Sequence, residues 1–546
     1  MGLLLLIWVL GYAPGVWADT FYVRKDGGTA GQCSGRVDAP YPGQGTGLDC
    51  AWAHPFWALD PGTDPPSWRI SGGDTLIIDS GSYMLGYGAA NSDWCVAAYP
   101  YECVLPPLPS GPEPSQPTRI LGRGWKHGCP DPPELWGTER AWHILSLDGS
   151  SNIQVACLEL TDHSSCVEFH SHAPARCQRE SFPYGQWAAT GLYAADAQNV
   201  LLQDLNIHGL AHSGIHAGRL FNWKVDHVRI AGNGWVGWDG DLPLESSVNT
   251  GKLHFAHVLV EWNGCAETYP DQEPSHCWAQ SAGGYGDGLG TAATAGTWIF
   301  EDSIFRHNTS DGLDLLYVQG NDQEPTHVTV RRSKALANAG DQVKVSGPSL
   351  IENSLLVSEC SFFADKPFTY DVDHCRSGGS ALAVSLYQGQ KASVVNTTLA
   401  GEGDCLMIAE CAAQGNCNGS EQLQVFNSLL YGYSEFLDPW DRACTLWTGS
   451  PMLLDEGSNI IFGTKQGTWP QTGENDLFAD PLVLNSTLAN FDPRLGSNSP
   501  ALDSGLPPEA MNLIPDCDIC KVPRPQGSGV DRGCYESLLS LPGVWM

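Results

Sequence analysis

A parallel β-helix, an all-β solenoid of short strands, is the fold this sequence predicts, and three observations predict it. From about residue 200 to residue 430 a loose unit of about 20 to 35 residues recurs. Each unit opens with alternating apolar residues, passes an Asn or a Gly, and closes on a second short apolar run, as in TWIFEDSIFRHNTSDGLDLLYV and THVTVRRSKALANAGDQVKVSG. The runs are too short for helices, and the Asn and Gly between them supply tight turns. Short strands at this period, with no helix between them, stack into a solenoid whose equivalent positions lie about 4.8 Å apart on adjacent coils.

Taken in order, residues 3–10 form an apolar run, followed by small residues ending Val16-Trp17-Ala18. This reads as a secretory signal over residues 1–18, although no positive charge precedes the apolar run. Residues 19–546 read as one elongated domain: a cap and first coils over 19–150, main coils over 151–460 and a closing segment over 461–546. TFYVRKDGGTA and GGDTLIIDSGSY supply the first strands, while the Pro-rich stretch 105–133 and the stretch 265–284 are expected to leave the coils as loops. Near the end, NFDPRLGSNSPALDSG and then VDRGCYE resemble the closing segment of many secreted right-handed β-helix proteins, so this stretch reads as a terminal cap.

Nineteen cysteines suit an oxidising compartment. Cys95/Cys103 and the group Cys405, Cys411, Cys417 look like loop staples, and the odd count leaves at least one thiol unpaired within a single chain. Cys517 and Cys520 have zinc-ribbon spacing but no second pair of ligands, so a disulfide or free thiols fit them better. The net charge of −33, from 28 basic and 61 acidic residues, disfavours nucleic acid, whose binding needs dense Lys and Arg. No stretch after the leader reaches the ~20 apolar residues of a membrane span. A secreted monomer is expected, with the periplasm as the alternative location.

The chemistry concentrates between residues 284 and 347. Aligning successive units sets Asp287 opposite Asp311, and Asn308-Thr309-Ser310-Asp311-Gly312-Leu313-Asp314 beside Asn338-Ala339-Gly340-Asp341-Gln342-Val343-Lys344. Asp287, Asp311 and Asp314 would then crowd together, and carboxylates that close repel one another unless a cation holds them. Hard oxygen ligands favour Ca²⁺. An Asp/Asn ladder capping turns accounts for the same spacing. Lys344 takes the Asp314 position one coil on, either to neutralise the acids or to act as a general base. Partial burial and a neighbouring Ca²⁺ would both favour the neutral amine. The ion would also bind a uronate carboxylate and acidify the adjacent C5 proton, so that loss of the 4-linked sugar is a β-elimination.

Asp287-Gly288-Leu289, the run from Asn308 to Asp314, and Asp341-Gln342-Val343-Lys344-Val345-Ser346-Gly347 resemble the motifs of family-nine polysaccharide lyases. The resemblance implies a right-handed parallel β-helix that cleaves an acidic polysaccharide, with Asp287, Asp311 and Asp314 as calcium ligands and Lys344 as the proton acceptor. The family's paired aspartates become Ser310-Asp311 here, which removes one carboxylate; Asp341 is the candidate to replace it from the next coil.

His216 and Asp239 fall in the column of Asp314, and Trp235 and Trp238 are candidates to stack on sugar rings, with core packing as the alternative for each Trp. His212, His216 and His227 hint at a transition-metal site, although their places in the unit differ. Two other functions fit the same scaffold: a non-catalytic glycan-binding or surface-structural β-helix, and a glycoside hydrolase, which would need a pair of acids flanking the bond. Asn308, Asn396, Asn418 and Asn485 each begin an N-x-S/T triplet.

Overall fold

The computed structural model describes residues 18–537 apart from 169–176, 244–245, 278–284, 321–325, 365, 367–374, 414 and 471–472; all of the expected leader except Ala18 lies outside the described residues. The chain winds as a right-handed parallel β-helix. Each main coil has three strands. In the coil that carries Asp314 these are Thr297–Glu301, Ile304–Arg306 and Leu313–Leu315, and in the next coil His327–Arg331, Lys334–Leu336 and Val343–Ser346. First and second strands stack in register into one long sheet, while the third strands form a separate ten-stranded sheet.

One residue makes the corner between first and second strands. Cys157, Asp204, His227, His257, Asp302, Arg332, Asn353, Asn396, Asn427 and Ser458 occupy that place on successive coils, all with φ between 46° and 58°. The left-handed conformation bends the chain within a single residue, and Asn and Asp tolerate it best. At the next corner the Asn of each repeat turns inward. Asn233 Nδ2 donates to Asn263 Oδ1 (2.9 Å), Asn263 to Asn308 (2.9 Å), Asn308 to Asn338 (2.8 Å), and Asn338 to Gln342 Oε1 (2.9 Å). None of the five is more than 1% exposed. A buried amide left unpaired would cost about 1–3 kcal/mol, so the ladder fixes both register and turn, and the turn delivers the third strand.

Aromatic side chains fill the interior beside these coils. Trp238 packs edge-on between Trp223 and Phe255, at 6.0 and 5.3 Å, and Phe255 stacks on Phe300 at 4.6 Å. At the N-terminus, Thr20–Gly28 joins the stack by pairing with Thr75–Ile78, and the Cys33–Cys50 disulfide ties the loops beside it. At the other end the closing segment does more than cover the last coil. It runs back along the left-handed corner, where Asn353, Asn396 and Asn427 donate to the carbonyls of Cys517, Asp531 and Leu506. Buried Arg524, paired with Glu536 at 2.8 Å, donates to Asn353 as well.

There are eight disulfides: Cys95–Cys103 and Cys411–Cys417 close loops as expected, whereas Cys405–Cys444 joins register partners on adjacent third strands and so staples two coils; Cys517, Cys520 and Cys534 are free thiols. Residues 265–277 leave a corner as a hairpin closed at its base by the Cys265–Cys277 bridge, and the rest of the expected loop, 278–284, lies outside the described residues. Among the described residues no helix is long and apolar enough to cross a membrane. Of the four triplets, Asn308 and Asn396 are fully buried, whereas Asn418 and Asn485 are exposed.

Candidate active site on the third-strand sheet

The third strands bring one column of side chains to the surface: Tyr193, His216, Asp239, Gly290, Asp314, Lys344 and Ala383 are register partners in that order. Parallel pairing without slip is what sets Lys344 beside Asp314, one strand spacing away. A cleft of about 660 Å³ lies along this column, lined by Trp235, Asp239, Asp287, Asp314, Lys344 and Arg376 among others.

Just before the third strand, at the turn set by the Asn ladder, the aspartates form a ladder of their own. The Oδ1 atoms of Asp287, Asp311 and Asp341 accept the backbone N–H of Asp311, Asp341 and Ser380, at 3.0, 2.8 and 2.7 Å. The ladder reading of the spacing is therefore realised, yet it occupies only one oxygen of each carboxylate. Lys344 Nζ donates to Asp311 Oδ2 at 2.6 Å and lies 3.8 Å from Asp314 Oδ2 and 3.5 Å from Asp341 Oδ2. One carboxylate oxygen from each of Asp287, Asp311 and Asp314 lies within 4.8 Å of the others.

Arg376 enters from the loop closed by Cys360–Cys375. Its Nη1 stands 3.8 Å from Asp287 Oδ1 and has no hydrogen-bond partner among the described residues. Nothing in the sequence pattern marked this arginine; its only signal is its place next to a bridged cysteine.

Electrostatics set the character of the cleft. Burial raises the carboxyl of Asp287, with the Asp311 charge adding to it. Burial likewise pushes Asp314 and Asp341 up to about 7, partly offset by Lys344. Lys344 behaves opposite to the sequence expectation. Burial does pull its ammonium down, but Asp311, Asp314 and Asp341 together outweigh burial and hold it above the usual lysine range.

The donor set suits a hard divalent cation on three counts. Four carboxyl groups face two cationic side chains, and burial holds part of their charge off by protonation, so a bound cation would let them ionise. Gly290 keeps the approach to Asp287 open, since a Cβ there would sit 3.1 Å from Asp287 Oδ2. All the ligand atoms are oxygens, the preference of Ca²⁺. Ser310 is fully buried with its hydroxyl against Asp287, so it adds no charge. Asp341 brings its charge to Lys344 and stands outside the triad.

The remaining expected residues divide. Trp235 lies at the cleft edge, stacked on Tyr285 at 4.0 Å and against His212 at 4.2 Å. Trp238 is 1% exposed and belongs to the core, so it is closed to any sugar; its side chain points inward because strand neighbours alternate faces. His216 Nε2–H donates to the Asp241 carbonyl at 3.0 Å and lies 3.8 Å from Asp239 Oδ2. His212 pairs with Ser213, and His227 stands at the far corner of the coil, so these three histidines do not converge.

No protein-family model matches the chain, and no curated protein matches it. Among solved structures the chain is similar to pectate lyase Pel9A (12% identity over 96% of this chain and 97% of that one, TM-score 0.42). It is also similar to XylC in complex with xylose (10% identity, 95% and 98%, TM-score 0.45) and to a rhamnogalacturonan lyase (12% identity, 88% and 96%, TM-score 0.38).

Proposed function

We propose that this chain is a secreted, calcium-dependent lyase that cleaves a 4-linked, uronate-containing polysaccharide by β-elimination. The observation that carries the reading is the buried Lys344 ammonium on the cleft floor, 2.6 Å from Asp311, beside a cation-sized triad of carboxylate oxygens. Eight disulfides and the leader support the secreted assignment.

Held by Asp287, Asp311 and Asp314, Ca²⁺ would screen the uronate carboxylate, acidify the C5 proton and compete with Lys344 for the acidic oxygens. With Asp311 and Asp314 so engaged, Lys344 would keep only Asp341 against burial, which favours the neutral amine. The amine then takes the C5 proton. The C5–H electron pair forms the C4–C5 double bond as the C4–O bond breaks, and the departing sugar oxygen takes a proton from solvent. Trp235 and Tyr285 offer a flat face for a sugar ring, and Arg376, 3.8 Å from Asp287, offers an Nη1 free of hydrogen bonds to an acidic group.

Purified protein incubated with polygalacturonate, rhamnogalacturonan and uronate-containing glycosaminoglycans, with Ca²⁺ or with chelator, tests this. Unsaturated products absorbing in the ultraviolet, formed only with Ca²⁺ and lost in Lys344→Ala, are the expected result; ordinary activity in that variant overturns the base assignment. A non-catalytic glycan-binding protein is the second reading, favoured by the Asp ladder and the closed Lys344–Asp311 pair. Binding without any cleavage over long incubation would establish it.

A further inference from the structure

We propose a second metal site, for a divalent transition ion such as Zn²⁺ or Cu²⁺, built by Asp226, His227 and His257 at the coil corner that does not touch the cleft strand. The left-handed corner column places His227 and His257 on successive coils, with φ of 54° and 53°. Their rings stack at 4.3 Å with 20° between planes. Both turn Nδ1 toward one oxygen: His227 Nδ1 is 2.8 Å and His257 Nδ1 3.1 Å from Asp226 Oδ1. The three candidate ligand atoms lie within 4.8 Å of one another, a span one four-coordinate ion can bridge.

The donor chemistry differs from that of the cleft. Two imidazoles and one carboxylate suit Zn²⁺, Cu²⁺ or Ni²⁺, whereas the oxygen-only triad suits Ca²⁺. The surroundings also orient the ligands. Lys224 Nζ holds the other Asp226 oxygen at 2.8 Å, leaving Oδ1 to face the rings. Asp302 Oδ2 stands 4.0 Å from His257 Nε2 and is itself held by Lys521 at 3.2 Å, while Arg332 grips the other Asp302 oxygen. At 4.0 Å the Asp302–His257 separation is an ion-pair distance and not a hydrogen bond; closing that gap on metal binding would keep the proton on the outer nitrogen and the lone pair on Nδ1, the usual support of a metal-bound histidine. His227 and His257 are 56% and 42% exposed, so an ion can enter from solvent and keep an open position. Bound there, it would clamp two neighbouring coils at their corner.

The test uses the full chain, stripped with chelator and then kept in excess Ca²⁺ so that the cleft carboxylates are occupied. With Cys517 and Cys520 first alkylated, calorimetric titration with Zn²⁺ is expected to show one site, weakened more than about tenfold in His257→Ala and lost in the His227→Ala/His257→Ala double variant. Asp302→Asn should weaken binding and leave the site present. Cu²⁺ added to the unaltered chain should give an electron paramagnetic resonance spectrum with nitrogen couplings from two imidazoles, a readout that does not depend on any variant folding. Absence of Zn²⁺ uptake, unchanged uptake in the double variant, or a Cu²⁺ spectrum without imidazole nitrogens each overturns the proposal.

Discussion

Asp314 and Lys344 are register partners on adjacent third strands, and their charged ends stand 3.8 Å apart on the floor of the cleft. The pair sits between Asp239 and Gly290 on one side and Ala383 on the other, so the lysine is the first cation met along an acidic column.

Removing that cation should act on both chemistry and fold. Lys344→Ala is expected to lower kcat by about 10²- to 10⁴-fold, the usual worth of a general base. In chelator it should also lower the melting temperature, because Asp311, Asp314 and Asp341 lose their shared partner. Added Ca²⁺ should restore the melting temperature but not the activity. Thermal unfolding with and without Ca²⁺, run beside the ultraviolet assay, reads both.

Asp311 separates ladder from ligand. Asp311→Asn keeps an oxygen for the Asp341 N–H and removes the charge, whereas Asp311→Ala removes both. The Asn variant turns an NH2 group toward the Lys344 ammonium in place of Oδ2, so it should lose the stability of the Asp311–Lys344 pair and require more Ca²⁺ for half-maximal activity. The Ala variant should lose about a further 1–3 kcal/mol from the unpaired buried N–H. Urea unfolding and calcium titration of the two variants distinguish these effects.

The two tryptophans should respond oppositely. Trp235→Ala is expected to raise KM about fivefold to tenfold, the worth of one aromatic stacking contact, with little change in stability. Trp238→Ala opens the core between Trp223 and Phe255 and should cost about 3–5 kcal/mol. Steady-state kinetics and chemical denaturation of both variants check this.

A pH dependence follows from His208, buried between Glu267 (2.6 Å) and Glu159 (2.8 Å). Burial lowers its imidazolium, but hydrogen bonds to the two glutamates outweigh it and raise the group to about 9. A folded-state value above the unfolded one stabilises the fold fully below pH ~6.5 and loses that contribution as pH climbs through about 9, on the order of 3 kcal/mol. His208→Gln should therefore show a flatter loss of stability between these pH values than the parent, measured by denaturant unfolding at each pH.

Much of the architecture was legible before any coordinates, because a solenoid repeats one local solution. The Asn of each unit, the alternating apolar runs and the unit length together specify turn, strand and stacking, and register follows once the Asn ladder is closed. That is why Asp287 opposite Asp311, and His216 and Asp239 in one column with Asp314, could be read by aligning units. Arg376 could not, because it sits in an insertion whose path is set by a disulfide and by packing against distant coils. The sense of the Lys344 shift also escaped, since it depends on three carboxylate distances rather than on burial alone.

The sequence by itself determined the coil, its period and which side chains share a column, since these follow from hydrogen bonding between each coil and the next, repeated unit by unit. Only the tertiary structure decided which face each tryptophan took, that the aspartates divide their oxygens between backbone and cleft, and that the closing segment lies along the left-handed corner. Those outcomes rest on distances of a few ångströms between coils and loops far apart in sequence, where burial and charge are set by everything packed around them.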